Sequence, residues 1–449
     1  MAKKSVRDIA LEILLQIEKN QAYSNLLLNQ RVKKELISER DIGLLTEIIY
    51  GTIQRRDTLD YYLTPFVKKG LNKLEQWVLV LLRLSLYQMI YLDRVPEHAI
   101  LNEAVTIAKK RGHQGISGMV NGVLRSIQRS GVPSIELIKD EMDKLAIETS
   151  HPRWLIERWV KEFGYEDAKK MAEMNLIPPS VTIRVNQVKS TVEEAVKRLT
   201  DEGLIVTKGD LSQDAIKVTK GYVPSSYSFI KGFVTIQDES SMLVARALDP
   251  QPGMNVLDCC AAPGGKTTHL AERMENEGQV TGLDLHSHKV KLIKEQQDRL
   301  ELSNIEAKAL DARKVQEEYE NESFDCILVD APCSGLGVIR RKPDLKWTKT
   351  QNDIEGITSI QKSILQSVAP LLKKGGRIVY STCTVDRVEN EDVVNNFLSQ
   401  NDEFSLDESM GERLPQEILT SKRYQPGMLT ILPQDFGTDG FFISVMKKQ

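Results

Sequence analysis

From residue 251 to the end of the chain, short apolar runs recur too far apart to be joined as hairpins. They fall at 254–258, 279–284, 305–310, 325–330, 377–383 and 440–446. The segments between them are long enough for crossover helices, so the pattern predicts a mostly parallel, doubly wound sheet. Ligands of such a sheet bind outside the carboxyl ends of its strands. Two of the predicted strands run into small-residue turns that hold a cysteine. One reads Ile327-Leu328-Val329-Asp330-Ala331-Pro332-Cys333-Ser334-Gly335 and the other Val379-Tyr380-Ser381-Thr382-Cys383-Thr384. Parallel strands ending this way would bring both thiols and the Asp330 carboxylate into one crevice.

All five cysteines lie in the last 200 residues, with no C-x-x-C pair. That excludes a disulfide framework and a structural zinc site, and no metal is expected. A free cysteine is by default a small packing residue. That reading holds for Cys259, Cys260 and Cys326, in or beside strands, but not for Cys333 and Cys383 in their polar turns. His286 and His288 read as surface residues of the loop after the second strand.

A chain of 449 residues exceeds one ordinary core. Its first 130 residues carry helical spacing throughout: Ile9, Ile13, Leu14 and Ile17; Leu101, Ala104, Val105 and Ala108; Ile116, Met119, Val120, Val123, Leu124 and Ile127. Pro96 suits an early helical turn and Gly112 a helix stop. An all-α bundle is expected over 1–132, then a charged connector helix over 133–150. Residues 151–235 predict a small α+β module. Its strands are expected at 181–185, 204–206 and 215–218, with a helix at about 191–202. The α/β domain takes 236–449, entered through a strand and helix near 232–241. Residues 1–140 hold 21 Lys+Arg against 15 Asp+Glu, and residues 251–449 hold 24 against 31. This asymmetry suggests that the front meets a polyanion. Lys109, Lys110, Arg111, Arg125 and Arg129 are its candidate phosphate contacts. Arg340 and Arg341, with Lys342 and Trp347, add charge and an aromatic ring near the predicted crevice; RNA contact and simple loop ordering are both open for Trp347. The longest apolar run, Trp77 to Leu92, is interrupted by Arg83, Ser85 and Gln88 and is too short to span a bilayer. No apolar stretch of a secretory leader follows Met1–Ser5, so a cytoplasmic location is expected.

Between the first strand of the α/β domain and its helix stands Asp258-Cys259-Cys260-Ala261-Ala262-Pro263-Gly264-Gly265-Lys266-Thr267-Thr268. Gly265-Lys266-Thr267 copies the end of a phosphate-binding loop, but Cys260 replaces the obligatory first glycine and the motif fails. Small residues with a glycine pair suit a bulky ligand that is not polyanionic, such as S-adenosylmethionine. Asp284 ends the second strand, where a carboxylate binds ribose hydroxyls in this sheet type. Asp311 ends the third and could accept from an adenine amino group.

The chemistry that fits two thiols and a carboxylate beside a sulfonium donor is methylation of a pyrimidine. C5 of cytosine is too weak a nucleophile to take a methyl group unaided. A thiolate adding at C6 makes C5 enamine-like, and an acidic partner near N3, here Asp330, meets the charge that builds in the adduct.

The string from Asp330 to Gly337, followed by Ile339-Arg340-Arg341-Lys342-Pro343-Asp344-Leu345-Lys346-Trp347, resembles the signature of the Nop/Sun family of RNA cytosine-C5 methyltransferases. Ser381-Thr382-Cys383 and Glu389-Asn390-Glu391 resemble its second signature, and Cys260 to Lys266 its cofactor loop. The front resembles a NusB-type RNA-binding domain through Val95 to Val105 and Val120 to Arg125. The resemblance implies a Rossmann-like methyltransferase domain that uses S-adenosylmethionine, with Cys383 as nucleophile and Cys333 assisting product release. It also implies that the small α+β module over 151–235 is RRM-like and RNA-binding. It further implies that Cys260, Ala261, Ala262, Pro263, Gly264, Gly265, Lys266, Asp284, Asp311 and Asp330 contact the cofactor or the base. The implied substrate is small-subunit (16S) ribosomal RNA, free or partly assembled, and the enzyme is expected to be a monomer. Transfer RNA, or a non-catalytic role in RNA binding or assembly, are the alternatives.

Overall fold

The computed structural model describes residues 4–20, 27–28, 30–32 and 37–449; Met1 to Lys3, within the stretch read above for a leader, lie outside them. The chain forms two compact units, Met1–Ile177 with Ile339–Thr348, and Pro178–Val338 with Lys349–Gln449. Among the described residues no helix is long and apolar enough to cross a membrane.

The first unit is helical. Its core collects Ile9, Ile13, Leu14, Ile17, Leu101, Ala104, Ala108, Val120, Val123, Leu124 and Ile127, the faces that the spacing predicted. They pack around the helix Gln76–Tyr91, which is buried on nearly every side, as expected of a helix apolar all round. Pro96 precedes the first turn of Glu97–Arg111 and Gly112 follows its last. The connector differs from expectation: helix forms only over Glu141–Thr149, after a short turn at Ile135–Leu137. Asp140 sets the start, its side chain accepting from the Asp143 N–H at 2.9 Å, and Pro133 keeps the preceding residues extended. Two further helices, Arg153–Phe163 and Tyr165–Met174, complete this unit.

The segment Ile339–Thr348 folds with these helices, although it lies in sequence among the strands of the α/β domain. The last carbonyls of a helix have no partner within it. Those of Ile53 and Gln54, ending the helix Glu39–Gln54, accept from Trp347 Nε1 at 2.7 Å and Lys346 Nζ at 2.8 Å. The Arg56 guanidinium lies 3.8 Å above the Trp347 ring. Of the two roles open for Trp347, the structure favours loop ordering. Arg340 is buried, with Nε donating to the Ile177 carbonyl at 3.1 Å, which corrects its expected place as a solvent-facing phosphate contact. Arg341 is only half-buried.

In the second unit the small module is an antiparallel sheet in the order β2-β3-β1-β4. The strands are β1 Val181–Val185, β2 Ile205–Lys208, β3 Ala215–Lys220 and β4 Val234–Ile236. Ile183, Val185, Ile216, Val218 and Val234 pack against Ala195 and Leu199 of the helix Val192–Asp201, which a Thr191–Glu194 capping box opens. Side chains alternate across a strand. Arg184 therefore points the other way, and it is wholly buried against the α/β domain: Nη2 meets Glu272 Oε1 at 2.7 Å and Nη1 donates to the Gly265 carbonyl at 2.7 Å. Beyond the salt bridge, Arg299 reaches back to the Thr235 hydroxyl at 2.7 Å and Asn186 to the Leu300 carbonyl at 3.1 Å. An RRM reads RNA on an open sheet face. Here the neighbouring domain covers that face at β1 and β4, while the β2 edge stays exposed.

The large sheet runs β11-β12-β13-β9-β8-β5-β6-β7, with β10 beside β13. It contains β5 Asn255–Asp258, β6 Gln279–Asp284, β7 Ile305–Ala309, β8 Phe324–Asp330, β9 Leu372–Thr382, β10 Phe404–Leu406, β11 Tyr424–Gln425, β12 Met428–Ile431 and β13 Phe441–Lys448. β7, β6, β5, β8 and β9 are mutually parallel, and β13 returns antiparallel beside β9. Two apolar layers cover its faces. The short strands β10 to β12 carry no period-two signal of their own; β10 and β12 pair with β13, and β11 with β12.

Candidate active site

β8 and β9 are adjacent and in register, Asp330 opposite Ser381, so both cysteine turns leave the sheet side by side. The Ala331 N–H donates to the Ser381 carbonyl at 2.9 Å, extending the pairing one residue past the strand. The two sulfur atoms then stand 3.3 Å apart, and the five cysteines form no disulfide. Two glycines hold the Cys383 turn down. The Gly337 N–H donates to the Cys383 carbonyl at 3.0 Å, and the Gly440 N–H to the Gly337 carbonyl at 2.8 Å. A Cβ on Gly337 would sit 2.1 Å from the Gly440 carbonyl oxygen, so no other residue fits there.

Behind the thiols a polar group is buried to the last atom. Glu389 and Asn390 are both fully buried. Glu389 accepts from the Ser334 N–H at 2.8 Å, from the Ser334 hydroxyl, and from Gln361 Nε2 at 3.2 Å. Asn390 Nδ2 donates to the Thr384 carbonyl at 3.1 Å. The Cys333 thiol is pushed well up, first by its neighbour Cys383 and then by burial, and stays protonated at neutral pH.

In front of the thiols lies a charged pair. Lys266 follows the loop between β5 and the helix Gly265–Arg273, and its ammonium meets Asp330 Oδ2 at 2.8 Å. Asp330 Oδ1 accepts from the Ser381 hydroxyl at 2.8 Å. The same ammonium lies 5.0 Å from the centre of the Phe441 ring. Burial opposes the charge on Lys266, but Asp330 and Cys383 outweigh it and raise its pKa. A cation that responds to Cys383 in turn favours the Cys383 thiolate.

The cofactor loop has the backbone that its glycines predict. Gly264 sits at φ +104, and a Cβ there would press on Ile293 at 3.1 Å. Asp258 ends β5 wholly buried, with Oδ2 accepting from the Thr267 hydroxyl at 2.7 Å and Oδ1 without a hydrogen-bond partner among the described residues. Burial pushes its carboxyl up to about 7. At the end of β6, Asp284 Oδ1 accepts the His286 N–H at 3.0 Å. Asp311 caps the turn after β7, and both its oxygens carry Arg313, the closest contact being 2.6 Å. The acidic strand ends are thus in place, but Asp311 would have to exchange Arg313 to meet a ligand.

Of the front-domain candidates, Lys110 and Arg111 both engage the buried Asp8, at 2.8 and 2.5 Å. Lys109, Arg125 and Arg129 are exposed. A cavity of about 290 Å³ in the helical unit, lined by Thr52, Arg83 and Trp347 among others, contains none of the predicted site residues. Among the described residues no three His, Cys, Asp or Glu side chains gather as a metal site. Sequence reasoning missed Glu389, Ser334, Gln361 and Ser381 as parts of one site. For Ser334, Ser381 and Glu389 the available signal was polarity within a few residues of a cysteine; Gln361, on the helix Gln351–Val368, carried none.

Three family models match the chain. The NusB family covers residues 4–129, an RsmF/B-like methyltransferase ferredoxin-like domain 151–224, and the 16S rRNA methyltransferase RsmB/F model 245–447. Along its whole length the chain is 56% identical to the probable ribosomal RNA small subunit methyltransferase B of Bacillus subtilis, with 100% of both chains covered. The chain belongs to the ribosomal RNA small subunit methyltransferase B family. A second member, from Synechocystis, is 34% identical over 99% of both chains. Among solved structures, a methyltransferase homologue from Pyrococcus horikoshii superposes with a TM-score of 0.59 at 29% identity, over 70% of this chain and 100% of its own. As an RsmB-family member the chain is a methyltransferase acting on ribosomal RNA, with a NusB-type RNA-binding domain in front.

Proposed function

We infer that this RsmB-family enzyme methylates C5 of a cytosine in small-subunit ribosomal RNA through a transient bond between Cys383 and C6. The observation that carries this reading is the pair of thiols 3.3 Å apart, one beside a half-buried ammonium–carboxylate pair and the other held protonated. S-adenosylmethionine is the methyl donor that the loop from Cys260 to Lys266 fits, with Gly264 admitting a close approach and the unpartnered Asp258 oxygen below it. A Pyrococcus horikoshii NSun6 structure of the same fold was solved with SFG, an analogue of that donor. When bound, the donor supplies an electrophilic methyl group on a sulfonium.

The side chains divide the remaining work. Lys266 stabilises Cys383 as the thiolate, which adds to C6 while the C5–C6 π electrons move toward C5 and the ring nitrogen N3. Asp330 accepts from the cytosine amino group, and the proton it shares with Lys266 meets the charge growing at N3. Once C5 carries the methyl group, its proton must leave: the C5–H pair restores the C5–C6 double bond and the C6–S bond breaks. The Cys333 thiol donates its proton to the departing Cys383 sulfur and receives the C5 proton in return, so one proton passes from C5 to the thiol pair and no charge is left over. The target must be unstacked to reach the crevice, so a loop is a better substrate than a duplex.

Incubation of Cys383→Ala and Cys333→Ala variants with RNA and S-adenosylmethionine tests the assignment. Cys383→Ala is expected to abolish methylation and adduct alike, and Cys333→Ala to accumulate a protein–RNA band that survives denaturation. The opposite pattern reverses the roles. Bisulfite sequencing of small-subunit ribosomal RNA with and without the gene locates the base, and a modified transfer RNA instead would overturn the substrate.

A further inference from the structure

Glu389 touches neither thiol, yet its side-chain contacts fix the turn that carries Cys333. Its two oxygens take the N–H and the hydroxyl of Ser334, the residue after Cys333. Gln361 adds a second hold on the same turn, donating from Nε2 both to the Pro332 carbonyl at 2.9 Å and to Glu389 at 3.2 Å. The Ser334 hydroxyl also stands 3.0 Å from that of Thr384, the residue after Cys383. The backbone carbonyl of Glu389 is itself pinned, accepting from the Tyr380 hydroxyl at 2.6 Å at the end of β9. One side chain thus ties together the residues that follow the two cysteines, and the residue itself is anchored to the strand that carries Cys383. A carboxylate fully buried and bearing three donors is costly to place in a core for packing alone.

We propose that Glu389 is a positioning residue for product release, holding the Cys333 sulfur within reach of Cys383 so that the proton relay can run. The proposal rests on the covalent reading above. Addition of Cys383 to C6 does not need Cys333, whereas breaking that bond does. Loss of the clamp therefore slows release and spares attack. Misplacing a reacting group by about 1 Å costs on the order of 100-fold in rate. The site offers a way to separate geometry from charge. In Glu389→Gln the amide oxygen can accept the Ser334 N–H while its NH2 donates to the Ser334 hydroxyl, which then turns to Thr384. The clamp survives without its charge. In Glu389→Ala it does not.

Single-turnover reactions with full-length enzyme, a substrate RNA and S-adenosylmethionine, quenched into denaturant, read adduct formation and decay separately. Glu389→Ala is expected to form adduct within about 3-fold of the wild-type rate and to lose it roughly 10- to 100-fold more slowly, with Glu389→Gln restoring most of the decay rate. Ser334→Ala, which removes only the hydroxyl link, is the milder variant should Glu389→Ala fail to fold, and is expected to slow decay by a smaller factor. Equal losses in formation and decay would reduce Glu389 to a structural role and overturn the proposal, as would unchanged decay in both Glu389→Ala and Ser334→Ala. The two layers fail differently. If neither cysteine variant forms an adduct the covalent reading itself falls, and if only Cys383→Ala does the two thiols exchange roles; if the cysteine variants behave as expected and Glu389→Ala does not trap, only the present inference does.

Discussion

The second unit holds two cation–carboxylate pairs that look alike on paper and differ in what surrounds them. At the seam between the small module and the α/β domain, Arg184 is fully buried. Its guanidinium is spent on Glu272, Gln237, Thr268 and the Gly265 carbonyl, so every direction is occupied. In the crevice, Lys266 has one carboxylate and an aromatic face, while Asp330 retains 27% of its side-chain surface. A saturated pair offers nothing to a ligand and serves to lock two bodies together. An unsaturated one keeps donors and acceptors in reserve. The chemistry belongs where the hydrogen-bonding capacity is incomplete, and the stiffness where it is complete.

The contrast breaks most sharply with Lys266→Met. Its removal takes away the cation beside Cys383 and is expected to lower kcat by about 100- to 1,000-fold, the range for losing one preorganised electrostatic group, while the melting temperature changes little. Steady-state methylation and calorimetry together check this. Unfolding at a lower temperature with intact kcat would invert the comparison. Arg184→Met should do the reverse. It leaves Glu272 charged and unpaired in a dry seam, at a cost of about 3–5 kcal/mol, and urea unfolding should show it, while kcat below the transition stays near wild type. The last effect is read in pH. Asp258 has a folded pKa near 7 against an unfolded value of about 3.9, so the native state binds the extra proton between them. Stability from this group is complete below about pH 4 and is lost as pH rises toward 7, the sign given by more protons in the native than in the unfolded state. Asp258→Asn mimics the neutral acid and should flatten that loss in melting curves taken from pH 4 to 8. A steeper loss in the variant would refute the assignment.

Much of this was legible in the chain. Strand ends such as Asp258, Asp284 and Asp330 were marked by the switch from an apolar run to a carboxylate and a turn residue. The helical faces of Ile9 to Ile17 and of Val120 to Ile127 followed from their spacing, because burial along one element repeats with its own geometry. The Arg340–Trp347 stretch was undecided for the opposite reason. Its charge and aromatic ring allow a binding loop or an ordered one, and only its partners, the carbonyls of Ile53 and Gln54, show that it closes over a helix end. The seam of the small module was equally hidden, since nothing inside Val181–Val185 says that Arg184 meets Glu272.

By itself the sequence determined the order of elements, the helical and α/β classes, and which strand ends bear thiols and acids, since those depend on neighbours a few residues away. Only the tertiary structure decided which strands lie side by side, that the sulfur atoms of residues 50 apart approach to 3.3 Å, and which charges are saturated. Distances of that kind arise from sheet order and packing between remote segments, and no local pattern carries them.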